Sequence, residues 1–140
     1  MSNSMSRREI REYAFKLVFE YSFRSDEEQK ELIELYRRSN PVEKEEDWKE
    51  IMAKFDGVVE KVPEIDEILN RLSRGWKTTR MNKADLSVLR VAVYEILFDE
   101  DVPDSVAINE AVEITKLYSG EESSSFVNGL LASVVREKAE

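Results

Sequence analysis

The sequence predicts an all-α protein of about seven helices in two packed helical sub-bundles. Apolar residues recur at the 3.6-residue period of an amphipathic helix along most of the chain. Proline, glycine and capping residues interrupt this period, and no stretch alternates at the two-residue period of a strand with turn signals on both sides. Because the predicted joints are short, consecutive helices are expected to pack as antiparallel neighbours.

The chain is predicted to form one domain. Residues 1–5 are polar and predict a disordered tail, whereas residues 6–140 are expected to fold as a single helical unit. Its two sub-bundles are expected at about 6–60 and 61–138. The helices are predicted at about 6–23, 26–39, 42–59, 63–75, 82–98, 104–118 and 126–138.

Proline, asparagine and glycine residues mark the predicted helix ends and one position inside a helix. Pro63 suits the first turn of a helix, and Asn82 suits a cap that accepts an orphan backbone N–H. Gly120 is expected at positive φ after the sixth helix, and the polar residues 121–125 are interpreted as a joint. Gly129 lies inside the last helix, where glycine costs about 1 kcal/mol relative to alanine. We therefore expect a backbone or a ligand to approach Gly129 closely.

The composition narrows the classes of function. Of 140 residues, 41% are hydrophobic, which suffices for a real core. No apolar run approaches the about 18 residues of a membrane span, and no signal peptide is present, so a cytoplasmic location is expected. The chain has no cysteine and no histidine, which excludes disulfides, thiolate nucleophiles, histidine catalysis and ordinary zinc sites. We expect neither an enzyme nor a cofactor.

Charge is distributed unevenly along an acidic chain. The net charge of −9 argues against nucleic-acid binding over the whole surface. Residues 1–24 nevertheless carry five basic and three acidic groups, and residues 71–90 carry six basic groups and one acidic group. This asymmetry predicts one local basic face. Arg90, on a strongly apolar helix, is interpreted as a structural arginine that is ion-paired or snorkelling.

The first helix carries candidates for nucleic-acid contact. Arg7, Arg8 and Arg11 lie in its first turns, either as a solvated helix end or as forks that match phosphate oxygens. Phe15 and Phe19 lie beside basic residues, either packed against a neighbouring helix or available to stack on unpaired bases. The spacing alone leaves both pairs of alternatives open.

Three motifs together span about residues 5 to 135. They are Arg7-Arg8-x-x-Arg11-Glu12-x-Ala14, then Trp76…Arg80…Asp85…Leu89-Arg90-x-Ala92-x-Tyr94-Glu95, then Val102-Pro103…Ala107-Ile108-Asn109-Glu110-Ala111-Val112-Glu113…Phe126-Val127-Asn128-Gly129. In order and spacing they resemble the NusB family of bacterial transcription antitermination factors. The third motif is the most specific of the three, and the first would be weak alone.

The resemblance implies both a fold and a function. It implies two perpendicular helical sub-bundles that pair with NusE, a small-subunit ribosomal protein. The heterodimer is expected to bind boxA-type single-stranded RNA and to support ribosomal RNA transcription within the RNA polymerase antitermination complex. Some family members form homodimers, so a homodimer is also possible here. The alternative is a protein-interaction scaffold that binds no RNA of its own. A third hypothesis is an RNA-modifying enzyme, because the resembling fold also occurs as an accessory domain of ribosomal RNA methyltransferases. We expect no such activity, since this chain has no room for a catalytic domain and no glycine-rich cofactor loop.

The resemblance also assigns roles to residues of this sequence. RNA binding is expected of the following side chains: Arg7, Arg8, Arg11, Lys16, Phe19, Glu122 and Phe126. Partner binding is expected of Asp85 and Arg80. The sequence departs from the family where Glu9 and Ile10 interrupt the basic run, where Leu86 replaces a basic residue, and at the acidic Asp99-Glu100. These departures shift the expected RNA affinity towards the complex with the partner.

Overall fold

The structure, a computed structural model, describes residues 4–23, 26–39 and 42–140, and these form α-helices without a strand. The helices are α1 (Arg7–Tyr21), α2 (Asp26–Ser39), α3 (Glu45–Leu72), α4 (Lys83–Phe98), α5 (Asp104–Tyr118) and α6 (Glu121–Ala139), with a 3₁₀ turn at Thr78–Arg80. The predicted all-α fold is confirmed. Within the described ranges, no helix combines the length and apolar character that a membrane crossing requires.

Polar caps fix the beginnings of two helices. The Ser6 hydroxyl accepts a 3.1 Å hydrogen bond from the Glu9 N–H, and the Glu9 carboxylate accepts one of 2.9 Å from the Ser6 N–H. This reciprocal capping box satisfies two donors at the start of α1. At the start of α4 the Asn82 side chain accepts a 2.9 Å hydrogen bond from the Asp85 N–H, which confirms the predicted cap.

Helix α3 replaces two predicted helices. The prediction that Pro63 begins a helix is wrong, because α3 runs through it for 28 residues. Proline has no N–H, so the helical hydrogen bond to the Val59 carbonyl is missing at this point. Pro63 is exposed, and buried side chains on both sides of it anchor the two halves of the helix to the core: Phe55, Val58, Ile65 and Leu69. The predicted boundary between sub-bundles at about residue 60 therefore falls inside a continuous helix.

The joint between α5 and α6 is shorter than predicted. Gly120 has φ +101°, as expected for a glycine that follows a helix. The interpretation of residues 121–125 as a joint is wrong, because α6 begins at Glu121 immediately after this turn. Two carboxylates in the first turn of α6 interact favourably with the positive end of its dipole, so Glu121 and Glu122 extend the helix backwards.

Helix α4 lies at the centre of the core and packs against α1, α3, α5 and α6. It is buried on nearly all sides from Asp85 to Ile96, except at Tyr94. Met5 reaches this body as well, since its N–H donates a 2.9 Å hydrogen bond to Asp47. Residues 1–3 of the predicted tail lie outside the described residues.

Close approach occurs at a different glycine from the one predicted. A Cβ atom at Gly129 would meet nothing within 4 Å in the described chain, so the expected approach of another backbone is wrong, whereas the approach of a ligand stays a prediction. At Gly57 a Cβ atom would lie 2.3 Å from the Tyr94 hydroxyl oxygen. The Tyr94 ring therefore rests on bare backbone of α3, and this contact sets the spacing between α3 and α4.

Candidate nucleic-acid interface

The exposed arginines of α1 are ion-paired with carboxylates of other helices. Arg7 Nη1 lies 2.6 Å from Glu50 Oε2 on α3, and Arg8 Nη2 lies 2.7 Å from Glu110 Oε2 on α5. The hydrogen bond to Glu50, with the charge of the same carboxylate, raises the pKa of Arg7. Both guanidinium groups are largely solvent-exposed, so these pairs are accessible to competing anions.

Arg11 occupies a different environment from its two neighbours. Its side chain is 6% exposed, and Nε donates hydrogen bonds of 2.9 and 3.0 Å to the two carboxylate oxygens of Glu95 on α4. The Glu95 side chain is fully buried and also accepts from Lys54 Nζ on α3. Removing one partner of such a buried set leaves an uncompensated charge. Arg11 therefore joins helices inside the protein.

Aromatic side chains surround the second half of α1. Phe15 is buried, with its ring centroid 5.2 Å from that of Tyr118 on α5, so it packs against a neighbouring helix. Phe19 is half-buried, and its ring lies 5.1 Å from that of Phe23, which is 55% exposed. Lys16 is exposed and makes no ion pair within the part of the chain that the structure describes. This end of α1 thus presents one cation and accessible aromatic edges.

The predicted site residues of α6 follow directly on α5. Tyr118, which is 46% exposed, ends α5 and lies beside α1. Glu122 is exposed in the first turn of α6, and Phe126 is half-buried against the core. The short turn at Gly120 therefore brings the beginning of α6 to the same end of the bundle as the second half of α1.

The two predicted partner-binding residues differ in exposure. Arg80 is exposed at the end of the 3₁₀ turn. Asp85 is only 7% exposed in the first turn of α4, and its Oδ1 atom has no hydrogen-bond partner in the described protein. A buried acceptor without a partner is uncommon, because desolvation without a hydrogen bond costs about 1–3 kcal/mol.

The connection from α3 to α4 carries unpaired cations. Four basic side chains between residues 74 and 83, which we call the basic segment, form no ion pair with any described residue: Arg74, Lys77, Arg80 and Lys83. Trp76 lies among them and is 52% exposed. The flanking arginines are engaged, since Arg71 pairs with Glu137 and Arg90 pairs with Asp66 at 2.6 Å. The interpretation of Arg90 as structural is confirmed.

Three of these cations and the tryptophan were not singled out from the sequence as binding residues. The signal was present, because the region 71–90 carries six basic groups against one acidic group. Charge alone does not separate paired from unpaired side chains. No group of acidic side chains in the described ranges is arranged to hold a metal ion.

The comparison with known proteins identifies the family. The NusB family profile matches residues 8–136. The chain belongs to the NusB family. It is 46% identical over 131 residues to the transcription antitermination protein NusB of Lachnoclostridium phytofermentans, which covers 94% of this chain and 99% of that protein. It is 44% identical over 130 residues to the corresponding protein of Agathobacter rectalis, at 91% and 98% coverage.

Solved structures agree with this assignment. The structure of T. maritima NusB superimposes with a TM-score of 0.84 at 33% identity, covering 96% of this chain and 93% of that one. A structure of the antitermination factors NusB and NusE with double-stranded RNA superimposes with a TM-score of 0.83 at 21% identity, covering 94% and 96%, and shares the fold. NusB proteins are antitermination factors, so this NusB family member is not an enzyme.

Within this NusB family member, the predicted RNA-binding side chains fall into three environments. Arg7 and Arg8 are exposed but paired, Arg11 is buried and paired, and Lys16 is exposed and unpaired among the described residues. Their roles stay predictions. Unpaired cations that a phosphate could contact lie at the second half of α1 and in the basic segment. The arginines of the first motif are all paired.

Proposed function

We propose that the chain is a transcription antitermination factor that binds boxA-type single-stranded RNA together with NusE and supports ribosomal RNA transcription. Membership of the NusB family supports this proposal, as does the similarity to proteins named for antitermination. A NusB of the same fold was crystallised with NusE and double-stranded RNA, and this supports both proposed partners. Because this function acts on nascent transcripts, the proposal includes a cytoplasmic location.

The observation that carries RNA binding is the basic segment. Single-stranded RNA is held by cationic groups that track its phosphates and by flat side chains on which exposed bases stack. The segment provides both, because its four basic side chains have no ion pair among the described residues and Trp76 is half-exposed between them. An unpaired cation binds a phosphate without first breaking an internal contact, which favours this segment over α1.

Arg7 and Arg8 contribute to RNA binding by exchange in this proposal. An exposed ion pair contributes little to stability, so a phosphate can replace the carboxylate at small cost. Arg11 acts as a positioning residue, since its guanidinium is held by the buried Glu95. The proposal therefore keeps two of the three α1 arginines as secondary contacts and assigns the third to holding α1 in place.

Asp85 supports the proposed contact with NusE. Its Oδ1 atom is a buried acceptor that lacks a donor in the described protein. Because this atom is buried, the Asp85 side chain must turn outward before an N–H or a cationic group of a partner can satisfy it. Arg80 lies five residues earlier and is exposed, so an acceptor and a donor are available to the same partner surface.

The proposal is tested by fluorescence anisotropy with labelled boxA-type RNA and a scrambled control, each with and without NusE, over a range of salt concentrations. If about four phosphates are neutralised, the slope of log affinity against log salt is expected to be roughly −3 for a single strand. Preference for boxA-type RNA and a steep slope support the proposal. A flat salt dependence with NusE present contradicts it.

A second candidate function is a protein-interaction scaffold that binds no RNA of its own. One observation favours it: each α1 arginine is already paired with a carboxylate, on a chain with a net charge of −9. Capture of NusE by the immobilised protein, without any RNA shift at low salt, would select this alternative. Capture of both ligands selects the antitermination factor.

A further inference from the structure

A large cleft lies at the opposite end of α4 from the basic segment. It has a volume of about 1040 Å³ and is bounded by the beginning of α1, by α3, by the end of α4 and by the connection from α4 to α5. We call it the acidic cleft. Helix α4 is roughly 24 Å long, since it has 16 residues, so this cleft and the basic segment are separate surfaces.

The inner surface of the acidic cleft is partly apolar. Leu97 and Phe98 at the end of α4 and Val102 in the following connection are half-buried and line it. Ala53 on α3 is exposed on the facing wall. A second hollow of about 450 Å³ on the other side of the connection shares Leu97 and Val102, so the apolar surface continues around the connection. Such a surface gains free energy by covering apolar groups of a ligand.

The charge that the acidic cleft offers to a ligand is negative. Each of its basic side chains faces a carboxylate: Arg7 pairs with Glu50, Arg11 pairs with the buried Glu95, and Lys54 pairs with both Glu95 and Asp99. The rim carboxylates are not neutralised in this way. Glu100 and Asp101 are exposed in the connection from α4 to α5 and form no ion pair with any other described residue.

We propose that the acidic cleft binds an extended basic segment of a partner protein. Lysine or arginine side chains of that segment pair with Glu100 and Asp101, and its apolar side chains cover Leu97, Phe98 and Val102. Complementary charge fixes the register and accelerates association, whereas the apolar wall provides the affinity. The cleft has room for several side chains, since its volume of about 1040 Å³ lies at the upper end of the range of ligand pockets, about 300–1,000 Å³.

Nucleic acid is the wrong occupant for this surface. The unpaired rim carboxylates Glu100 and Asp101 repel phosphates. Arg7 is the one exposed arginine of the cleft, and it binds a phosphate only after exchange with Glu50, so it is a secondary RNA contact at the edge of this surface. The acidic cleft is therefore a binding site in addition to the proposed RNA surface, and a partner bound there leaves the basic segment accessible.

The experiment uses the full chain and a fluorescein-labelled, acetylated peptide of alternating lysine and leucine as the probe, followed by anisotropy. The same peptide with glutamate in place of lysine serves as the ligand control. The basic peptide is expected to bind and the acidic one is not. The double variant Glu100→Lys/Asp101→Lys is expected to lose roughly tenfold in affinity, because like charges then face each other.

A matched variant separates local from general attraction. Glu31→Lys/Glu34→Lys makes the same change in net charge on the exposed face of α2 and should leave the affinity nearly unchanged. Equal losses in both double variants would overturn the proposal, because the peptide would then be attracted by net charge alone.

A second variant tests the apolar wall without changing charge. Ala53→Trp fills the acidic cleft, whereas Ala139→Trp adds the same bulk at an exposed position at the end of α6. Peptide affinity should fall only in Ala53→Trp, while circular dichroism shows that both variants are folded. Unchanged binding in Ala53→Trp, no binding to the natural sequence, or displacement of the peptide by single-stranded RNA would each refute the assignment.

Discussion

Two basic regions of this protein differ in whether their cations form ion pairs. The arginines at the beginning of α1 all have carboxylate partners, on three other helices. The four cations of the basic segment have none among the described residues. The first region therefore uses its charge mainly to join helices, whereas the second presents its charge to solvent. A cluster of basic residues in a sequence becomes a cationic surface only where the fold leaves the carboxylates elsewhere.

The difference arises from the position of each region in the fold. Helix α1 lies between α3, α4 and α5, so Glu50, Glu95 and Glu110 all reach it. The basic segment connects α3 to α4 at the edge of the bundle, and its described neighbours supply no carboxylate within ion-pairing distance. The packing of the helices thus determines which basic groups are paired with carboxylates of the protein itself.

The largest expected effect comes from removing the buried carboxylate beneath α1. Glu95→Gln leaves Arg11 and Lys54 without their common anion, and a broken buried ion pair costs about 3–5 kcal/mol. Urea denaturation should show this loss in the free energy of unfolding. A loss below about 1 kcal/mol would mean that the pairs of Glu95 stabilise the protein no more than exposed ion pairs do.

The next largest effect is expected on RNA binding by a variant of the basic segment. Replacing all four cations of the basic segment by alanine should reduce the magnitude of the salt slope by about 0.7 for each phosphate that is no longer neutralised. Anisotropy with boxA-type RNA and NusE measures the slope, and circular dichroism checks that folding is retained. A slope that stays the same would move the RNA site away from this segment.

A smaller effect is expected from the exposed α1 arginines. Arg7→Ala combined with Arg8→Ala removes the exposed pair with Glu50 and the pair with Glu110, whose side chain is 15% exposed. The melting temperature should change little, because Arg11 Nη1 still lies 3.6 Å from Glu110 and the other pair is solvent-exposed. RNA affinity should fall by less than in the variant of the basic segment, because these guanidinium groups must exchange partners before they bind phosphate. A larger loss than in that variant would reverse the order of the two regions.

The smallest effect concerns acid stability. The hydrogen bond from Arg71 lowers the pKa of Glu137 from its ordinary value of 4.5. The stabilisation is therefore fully present above pH 4.5 and is lost as the pH falls through the lowered value. Glu137→Gln should melt slightly below the natural protein at neutral pH, and the difference should vanish in strong acid. A difference that grows on acidification would contradict this sign.

Local chemistry predicted much of the fold from the sequence. Asn82 as a cap and positive φ at Gly120 depend on nearby residues, and both are confirmed. The structural role of Arg90, predicted from its apolar helix, is also confirmed, although its partner Asp66 lies on α3. The errors concern features that packing decides. Pro63 remains inside α3 because buried side chains on both sides hold the helix together, and the serine run after Gly120 is helical although polar.

The candidate site was less predictable for the same reason. The motif containing Arg7, Arg8 and Arg11 is one of three that together indicated the family, and it was consistent with a basic surface, but the partners of these arginines lie far away in the sequence. No local pattern specifies that Glu95 is buried beside Arg11, since that contact requires α1 and α4 to be assembled. The net charge of a window locates basic regions, and only the fold shows which of them remain unpaired.

The unbroken passage of α3 through Pro63 has a mechanical consequence. A helix of 28 residues is roughly 42 Å long, and it packs against α1, α4 and α6. Because the helix is continuous, a displacement of one end is expected to move the other end as well. Helix α3 is expected to bend most easily at Pro63, because the backbone hydrogen bond to the Val59 carbonyl is missing there.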